Sequence, residues 1–394
     1  MKKNIAVIFG GKSTEHDISI LSAIQVMSAI KKEKYNIIPI YISQSGVWFG
    51  GDCLTKLETF KNFEKHKSKL KEVAILPGSQ NLFVKSLGRF KKAQKIDCVI
   101  VSCHGKNGED GTLQGLLELS NIPYSSSGVL GSAVGMDKLF AKQIFAQNKI
   151  PITEYVALRK ENFYEKNFVA SKIENLPNYP VVVKPNRLGS SIGISVCHND
   201  DELLEALKLS FLFDEISLIE KCVENLKEVN ISVLGDENGC KVSITEEVNS
   251  KNELLTFQKK YITKDAKNLQ KTKEIDNFGT KNAHASAKNG MQNIDRIMPA
   301  KISKHQQKQI ETYAKKIFNI TNCKGVVRID FLIDQKTKKV YANEINTIPG
   351  SFAFYLWQKT GLEFSQLVDT LVEIATKHRD EESKLVSTFQ SNVI

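Results

Sequence analysis

The sequence predicts an α/β protein that opens on a parallel sheet and continues into strands paired mostly antiparallel. Three observations predict it. Near the start, the apolar, β-branched runs NIAVIFGG and YNIIPIYIS flank the helical pattern ISILSAIQVMSAI, and DCVIVSCHG follows as a further apolar run. Strand, helix and strand with such continuous runs describe a sheet buried on both faces, the habit of parallel strands. Past residue 180 the runs LIEKCV, EVNISVLGD, CKVSITEEV, GVVRIDFLID and KVYANEIN have short connections and read as antiparallel neighbours. A length of 394 residues exceeds one ordinary core and implies two or three domains.

The remaining elements follow in chain order. Between residues 50 and 95 the chain is polar and lysine-rich, and no element is assigned there. GTLQGLLELSNI and DKLFAKQIFAQNKI read as helices, the second with Asp137 as N-cap before Lys138. YPVVVKPNRLGSSIGISVC reads as strand, Gly/Ser loop and strand. GVVRIDFLID and KVYANEIN, joined by the turn-like QKTK, should form a hairpin. KHQQKQIETYAKKIFNI and FSQLVDTLVEIATKHRDEESK are amphipathic helices, and the final dozen residues read as a frayed tail.

Composition narrows the function. Apolar residues are 41% and charged residues 25%, the balance of a soluble globular protein. No apolar run approaches the roughly 20 residues that span a bilayer. The opening run reaches Gly-Gly and KSTEHD too soon for a secretory signal. Seven cysteines without a CxxC pair argue against a disulfide framework and a zinc site. The expected location is the cytoplasm. Net charge is +11, but residues 251–308 alone carry +8, and no nucleic-acid-binding signature accompanies them, so nucleic acid is not the expected partner.

Candidate chemistry gathers in the hairpin and in three other stretches. In KVYANEIN, Glu344 and Asn346 sit two apart and share one side of the strand, as Arg328 and Asp330 do in GVVRIDFLID. If Asp330 lies opposite Glu344, one face collects two carboxylates, an amide and a guanidinium, hard ligands suited to Mg²⁺ shared with phosphate. The same pattern also fits a plain surface hairpin, and a one-residue slip would separate the acids. In KPNRLGSSIG, Lys184 points from a strand end, and Gly189, Ser190 and Ser191 offer N–H groups and hydroxyls to a phosphate. HGKNGEDGTLQG and GGKSTEHDIS follow the ends of buried strands, where open α/β sheets bind ligands.

Taken together and in order, GGKSTEHDIS, HGKNGEDGTLQGLLELSNIPYSSSGVLGSAVGMDK, VVVKPNRLGSSIG, GVVRIDF and NEINTIPG resemble the D-alanine–D-alanine ligase family of the ATP-grasp superfamily, from about Ile5 to Lys377. The resemblance implies an N-terminal open parallel α/β domain (1–127) and two ATP-grasp subdomains (128–217 and 218–378) that sandwich ATP. It implies a lid at about 262–298 and a tail at 379–394. The implied reaction joins two D-amino acids at the expense of ATP through an acyl phosphate, for peptidoglycan precursors. Lys138, Lys184 and Ser191 would hold the phosphates, and Glu220, Lys221, Val223 and Glu228 would surround adenine and ribose. Asp330, Glu344 and Asn346 would bind two Mg²⁺ ions, with Mn²⁺ as a substitute. Arg328 and the Gly350 N–H would stabilise the oxyanion, Asp17 would take the first ammonium, Ser190 and Tyr261 would link across the site, and His104 would lie near the reacting carboxylates. The family is commonly homodimeric.

Three departures stand out. The family's EHEVS pattern places Glu where Asp17 stands here. Tyr355-Leu356 fall where the family shows a Ser-Leu pair that contacts the second carboxylate. The lid, from Lys260-Tyr261 to Pro299-Ala300, is several times longer than usual and rich in Lys, Asn and Gln, which predicts trypsin cleavage that ligands suppress. The altered Asp17 and Tyr355 keep open a carboxylate–amine ligase with a different second substrate; the other alternative is a nucleotide-binding protein without turnover, against which the intact Lys184, Arg328, Asp330, Glu344 and Asn346 argue.

Overall fold

The computed structural model describes residues 2–163, 173–248 and 296–388. The strands form three sheets. In the first, β1 (Lys3–Gly10) pairs parallel with β2 (Tyr35–Ile42) and with β7 (Cys98–Val101), as the apolar runs predict. Ile5 through Phe9 are fully buried between helix His16–Ala29 on one side and the rest of the layer.

The segment left unassigned widens this sheet. It supplies β3 (Trp48–Gly50), β4 (Lys71–Ile75), β5 (Asn81–Ser86) and β6 (Arg89–Lys95), giving the order β6-β5-β4-β3-β2-β1-β7 with antiparallel pairing outward from β2. All seven residues of β6 are exposed. Its place comes from main-chain pairing to β5 with no buried side chains, so alternation of apolar residues could not reveal it.

The second sheet contains β8 (Tyr155–Arg159), β9 (Val181–Pro185), β10 (Ser195–Cys197) and β11 (Ile216–Lys221) in the order β10-β9-β11-β8, all antiparallel. Helix Asp200–Ser210 covers it, capped by Asn199, which accepts from the Glu202 N–H at 2.9 Å. The third sheet runs β14-β13-β12-β15-β16, with β12 (Leu226–Asp236), β13 (Gly239–Val248), β14 (Arg296–Ile297), β15 (Gly325–Asp334) and β16 (Val340–Asn346). One face packs on helix Lys304–Ile320, whose capping box pairs Ser303 with Gln306. The other face carries the polar residues of the hairpin.

The C-terminal helix Phe364–Glu382 extends past residue 379, where the tail was expected to begin. Its Leu367, Val368, Leu371 and Val372 enter the core of the first sheet. Asp369 receives both Lys31 and Lys34, at 2.8 and 2.9 Å. Among the described residues no helix is long and apolar enough to cross a membrane.

Candidate active site

The hairpin forms in the register that gathers the acids. Asp330 lies directly opposite Glu344, and Arg328 opposite Asn346. A β-bulge sits beside the pair, so Asn343 and Glu344 together oppose one residue of β15, and Asn343, Glu344 and Asn346 share the site face. The row continues across the sheet: Asn230 of β12 pairs with Asp330 on one side and with Glu246 of β13 on the other.

Arg328 grips Asp330 with two parallel bonds, Nε to Oδ1 and Nη2 to Oδ2, both 2.7 Å. The Asn346 amide donates to the same Oδ2 at 3.1 Å. Burial pushes the Asp330 carboxyl upward even against the guanidinium, and the Glu344 charge adds to the rise. For Glu344 burial also raises, but Lys138 and Lys184 outweigh it and hold the carboxyl below its usual range. Among the described residues no three His, Cys, Asp or Glu side chains are arranged to hold a metal alone. Two adjacent, partly buried carboxylates and the Asn346 amide fit Mg²⁺ only in a site completed by phosphate oxygens, and their mutual repulsion is what such a cation relieves.

Two lysines flank this row. Lys138, just past the Asp137 cap that accepts from Phe140 N–H at 3.0 Å, donates to the Leu188 carbonyl at 2.7 Å and lies 3.3 Å from Glu344. Lys184, at the end of β9, reaches Asn343 Oδ1 at 3.1 Å and Glu220 at 2.7 Å.

Glu220, expected beside adenine and ribose, lies near the end of β11. It is 2% exposed and faces lysines, with Lys142 at 3.0 Å on its second oxygen and Thr153 donating at 2.7 Å. Its carboxylate is thus engaged before any nucleotide arrives. Burial raises its pKa, but Lys142 and Lys184 overcome this and hold it at about 2. Burial in turn lowers Lys142 to about 8. Lys221 likewise donates to the Asn178 carbonyl at 2.7 Å. Val223 lies in the loop between β11 and β12, and Glu228 shares the Asn230 face of β12.

The N-terminal loops close the other side, and here Glu15 stands where Asp17 was expected. Ser190 donates to Glu15 Oε1 at 2.5 Å, and Glu15 lines the cleft with Glu109, Lys138, Glu344 and Asn346. Asp17 is two residues on, roughly 200° around the first turn of the helix, and its charge is felt at His16 and Tyr41. Glu109, which carries no signal of its own within HGKNGEDGTLQG, accepts from the N–H groups of Gly105 at 2.8 Å and Ile348 at 2.9 Å. Burial, and then the Glu15 charge, push its carboxyl up to about 8; burial raises Glu15 as well. Gly105, at φ 72°, lets the two loops meet: a Cβ there would lie 2.8 Å from Glu15 Oε2.

His104 is buried and positioned as a strut. Its Nε2 meets the Ser22 hydroxyl at 2.9 Å, and its ring bonds the Ile348 backbone. The same hydroxyl accepts from Ser351 N–H at 3.0 Å. Burial drops the imidazole to about 4. Its charge change therefore falls below the usual histidine range, and the pH–rate profile of the intact protein is expected to lack a histidine limb between pH 6 and 7. A limb there that disappears in His104→Gln would refute this.

Beyond Gly350 the backbone is strained: Ser351, Phe352 and Ala353 all have φ near +50°. Three such residues in a row cost about 1–3 kcal/mol each, so the packing of Phe352 and Ala353 and the Ser22 bond must impose the turn. Ser190 and Ser191 are left-handed too, which turns the Gly/Ser loop toward Glu15. Tyr261 and most of the lid lie outside the described residues. Tyr355 donates its hydroxyl to Glu246 at 2.8 Å, so its single donor has a partner within the fold.

The chain is similar to known proteins along nearly its whole length. The family model described as D-ala D-ala ligase N-terminus matches residues 4–127, and that described as D-ala D-ala ligase C-terminus matches 144–295 and 280–373. A D-alanine–D-alanine ligase of Thermosipho melanesiensis is 40% identical over 99% of this chain and 98% of its own. The solved D-alanine–D-alanine ligase of Coxiella burnetii superposes with a TM-score of 0.78 at 28% identity, covering 98% of this chain and 97% of that one. A D-Ala:D-Ser ligase from Enterococcus faecalis gives 0.74 at 29% identity, over 95% and 100%.

Proposed function

The chain belongs to the D-alanine–D-alanine ligase family, and from that premise we propose that it joins two molecules of D-alanine, converting ATP to ADP and phosphate, in the supply of peptidoglycan precursors. The first carboxylate attacks the γ-phosphorus, and ADP departs. The second amine attacks the resulting acyl carbonyl, loses a proton, and phosphate leaves as the peptide bond forms. One observation carries the reading: Arg328, Asp330, Glu344 and Asn346 share one sheet face, Lys138 and Lys184 converge on it, and the Glu15–Ser190 pair faces it.

Each group has a task that its position supports. Lys138 and Lys184 meet the nucleotide phosphates. Glu220 keeps Lys184 charged and aimed. Glu15 faces the first ammonium. Arg328 and the strained turn at Gly350 border the carbonyl oxygen, where N–H donors stabilise developing charge. Asp330, Glu344 and Asn346 would hold Mg²⁺, which offsets phosphate charge when bound. The 1–127, 128–217 and 218–378 units, a homodimeric assembly and a cytoplasmic location belong to the same proposal.

A panel of D- and L-amino acids, scored for ADP release and dipeptide formation, tests it. D-alanine is expected to give the strongest response, and activity confined to L-amino acids would overturn the reading. The likeness to a D-Ala:D-Ser ligase supports a second reading in which the attacking substrate is another D-amino acid, so D-serine belongs in the panel.

A further inference from the structure

The polar row on the third sheet does not stop at the groups with assigned tasks. It has two ends. At one end Glu344 meets Lys138 and Lys184. In the middle Asp330 holds Arg328. Two strands beyond Asp330, on β13, lies Glu246, and four paired strands put it roughly 14 Å from Glu344.

Glu246 is 1% exposed and built into a cluster of its own. Oε1 accepts from the Tyr355 hydroxyl at 2.8 Å and from Asn230 Nδ2 at 3.3 Å. Oε2 has no hydrogen-bond partner among the described residues but lies 3.5 Å from Arg296 Nη1. The Arg296 guanidinium stacks on the Tyr355 ring, 4.6 Å from its centroid. A buried carboxylate with one oxygen unbonded is costly and is retained only with compensation. Its charge reaches Arg328 and Asp330.

The order along the row assigns the cluster. The phosphate that leaves sits at the lysine end, and the carbonyl under attack lies at Arg328. The attacking amine then comes from the opposite end, where Glu246, Arg296 and Tyr355 stand. We infer that Glu246 is a positioning residue for the attacking amino acid: it fixes the Tyr355 ring and the Arg296 guanidinium as one wall, which sets a cation toward the carboxylate of a zwitterion. Tyr355 then acts through its ring and its tie to Glu246, and its hydroxyl is not the donor to the substrate carboxylate.

The inference rests on the ligase reading, and its test separates the two. Rates across a wide range of D-alanine concentration resolve a first-site and a second-site constant. Glu246→Gln, which keeps the shape and removes the charge, is expected to raise the second-site constant roughly 5- to 150-fold. The first-site constant and the KM for ATP stay unchanged, and the preference between D-alanine and D-serine as attacking substrate changes. Tyr355→Phe moves the same constant in the same direction by less, and decides the matter alone should Glu246→Gln fail to fold. Wild-type kinetics in the folded variants, or equal shifts in all three constants, overturn the positioning role while leaving the ligase intact. A wild-type protein that forms no dipeptide overturns both.

Discussion

Glu220→Gln is expected to lower stability by about 3–5 kcal/mol, because it leaves two buried ammonium groups facing each other without their shared anion. Lys142 is fully buried and Lys184 nearly so, and Glu220 lies 3.0 and 2.7 Å from them. Burial alone would penalise the carboxylate, yet the lysines hold it at about 2, against 4.5 for the free side chain. The sign follows directly. A depressed carboxyl contributes stability that is complete above pH 4.5 and is lost as pH falls toward 2. The thermal midpoint of the wild type should therefore fall as pH drops through that window, and the variant should lose that part of the slope. Adding Lys142→Met, which removes one stranded charge, should recover part of the loss. If Glu220→Gln unfolds within about 0.5 kcal/mol of wild type, in the range of ordinary surface changes, the triad does not anchor Lys184.

Asp330→Asn and Glu344→Gln are expected to leave folded proteins whose ADP release falls by at least about 100-fold, since each deletes a charged oxygen ligand and keeps the volume. Circular dichroism and thermal midpoints check the fold, and steady-state assays at saturating Mg²⁺ read the activity. Asp330→Asn also frees the Arg328 guanidinium from its two-bond grip, so it should be the more damaging of the two. Near wild-type turnover in either variant would remove the hairpin from the cation site.

Much of this was legible in the sequence, and the reasons differ by region. The parallel strands of the first sheet and the hairpin carry apolar runs and alternation that survive folding directly, and Asp330 faces Glu344 as the spacing suggested. Strand β6 was invisible because nothing on it is buried. Glu15 and Asp17 were exchanged because both acids flank one helix start, and only the helical rotation decides which reaches Ser190. Lys142, Glu109 and Glu246 carry no local signature at all. Each gains its importance from a partner far along the chain: Glu220, Ile348 and Tyr355 respectively. Long-range pairing of this kind is set by topology, which spacing along one strand does not encode.

The bulge at Asn343 sets how many working side chains a short strand can show. A regular strand offers every second residue to one face, so the four positions from Asn343 to Asn346 would present two. With the bulge three of the four face the site, and Ile345 alone turns to the core. Removing Asn343 would restore an even ladder with Glu344 and Asn346 still opposite Asp330 and Arg328. What it would take away is the Asn343 amide on Lys184, leaving that lysine with Glu220 as its remaining side-chain anchor. One inserted residue thus ties the second sheet to the third by a neutral hydrogen bond beside the lysine and carboxylate charges, and a chain shorter by that residue would keep its cation ligands but loosen the arm that meets the phosphates.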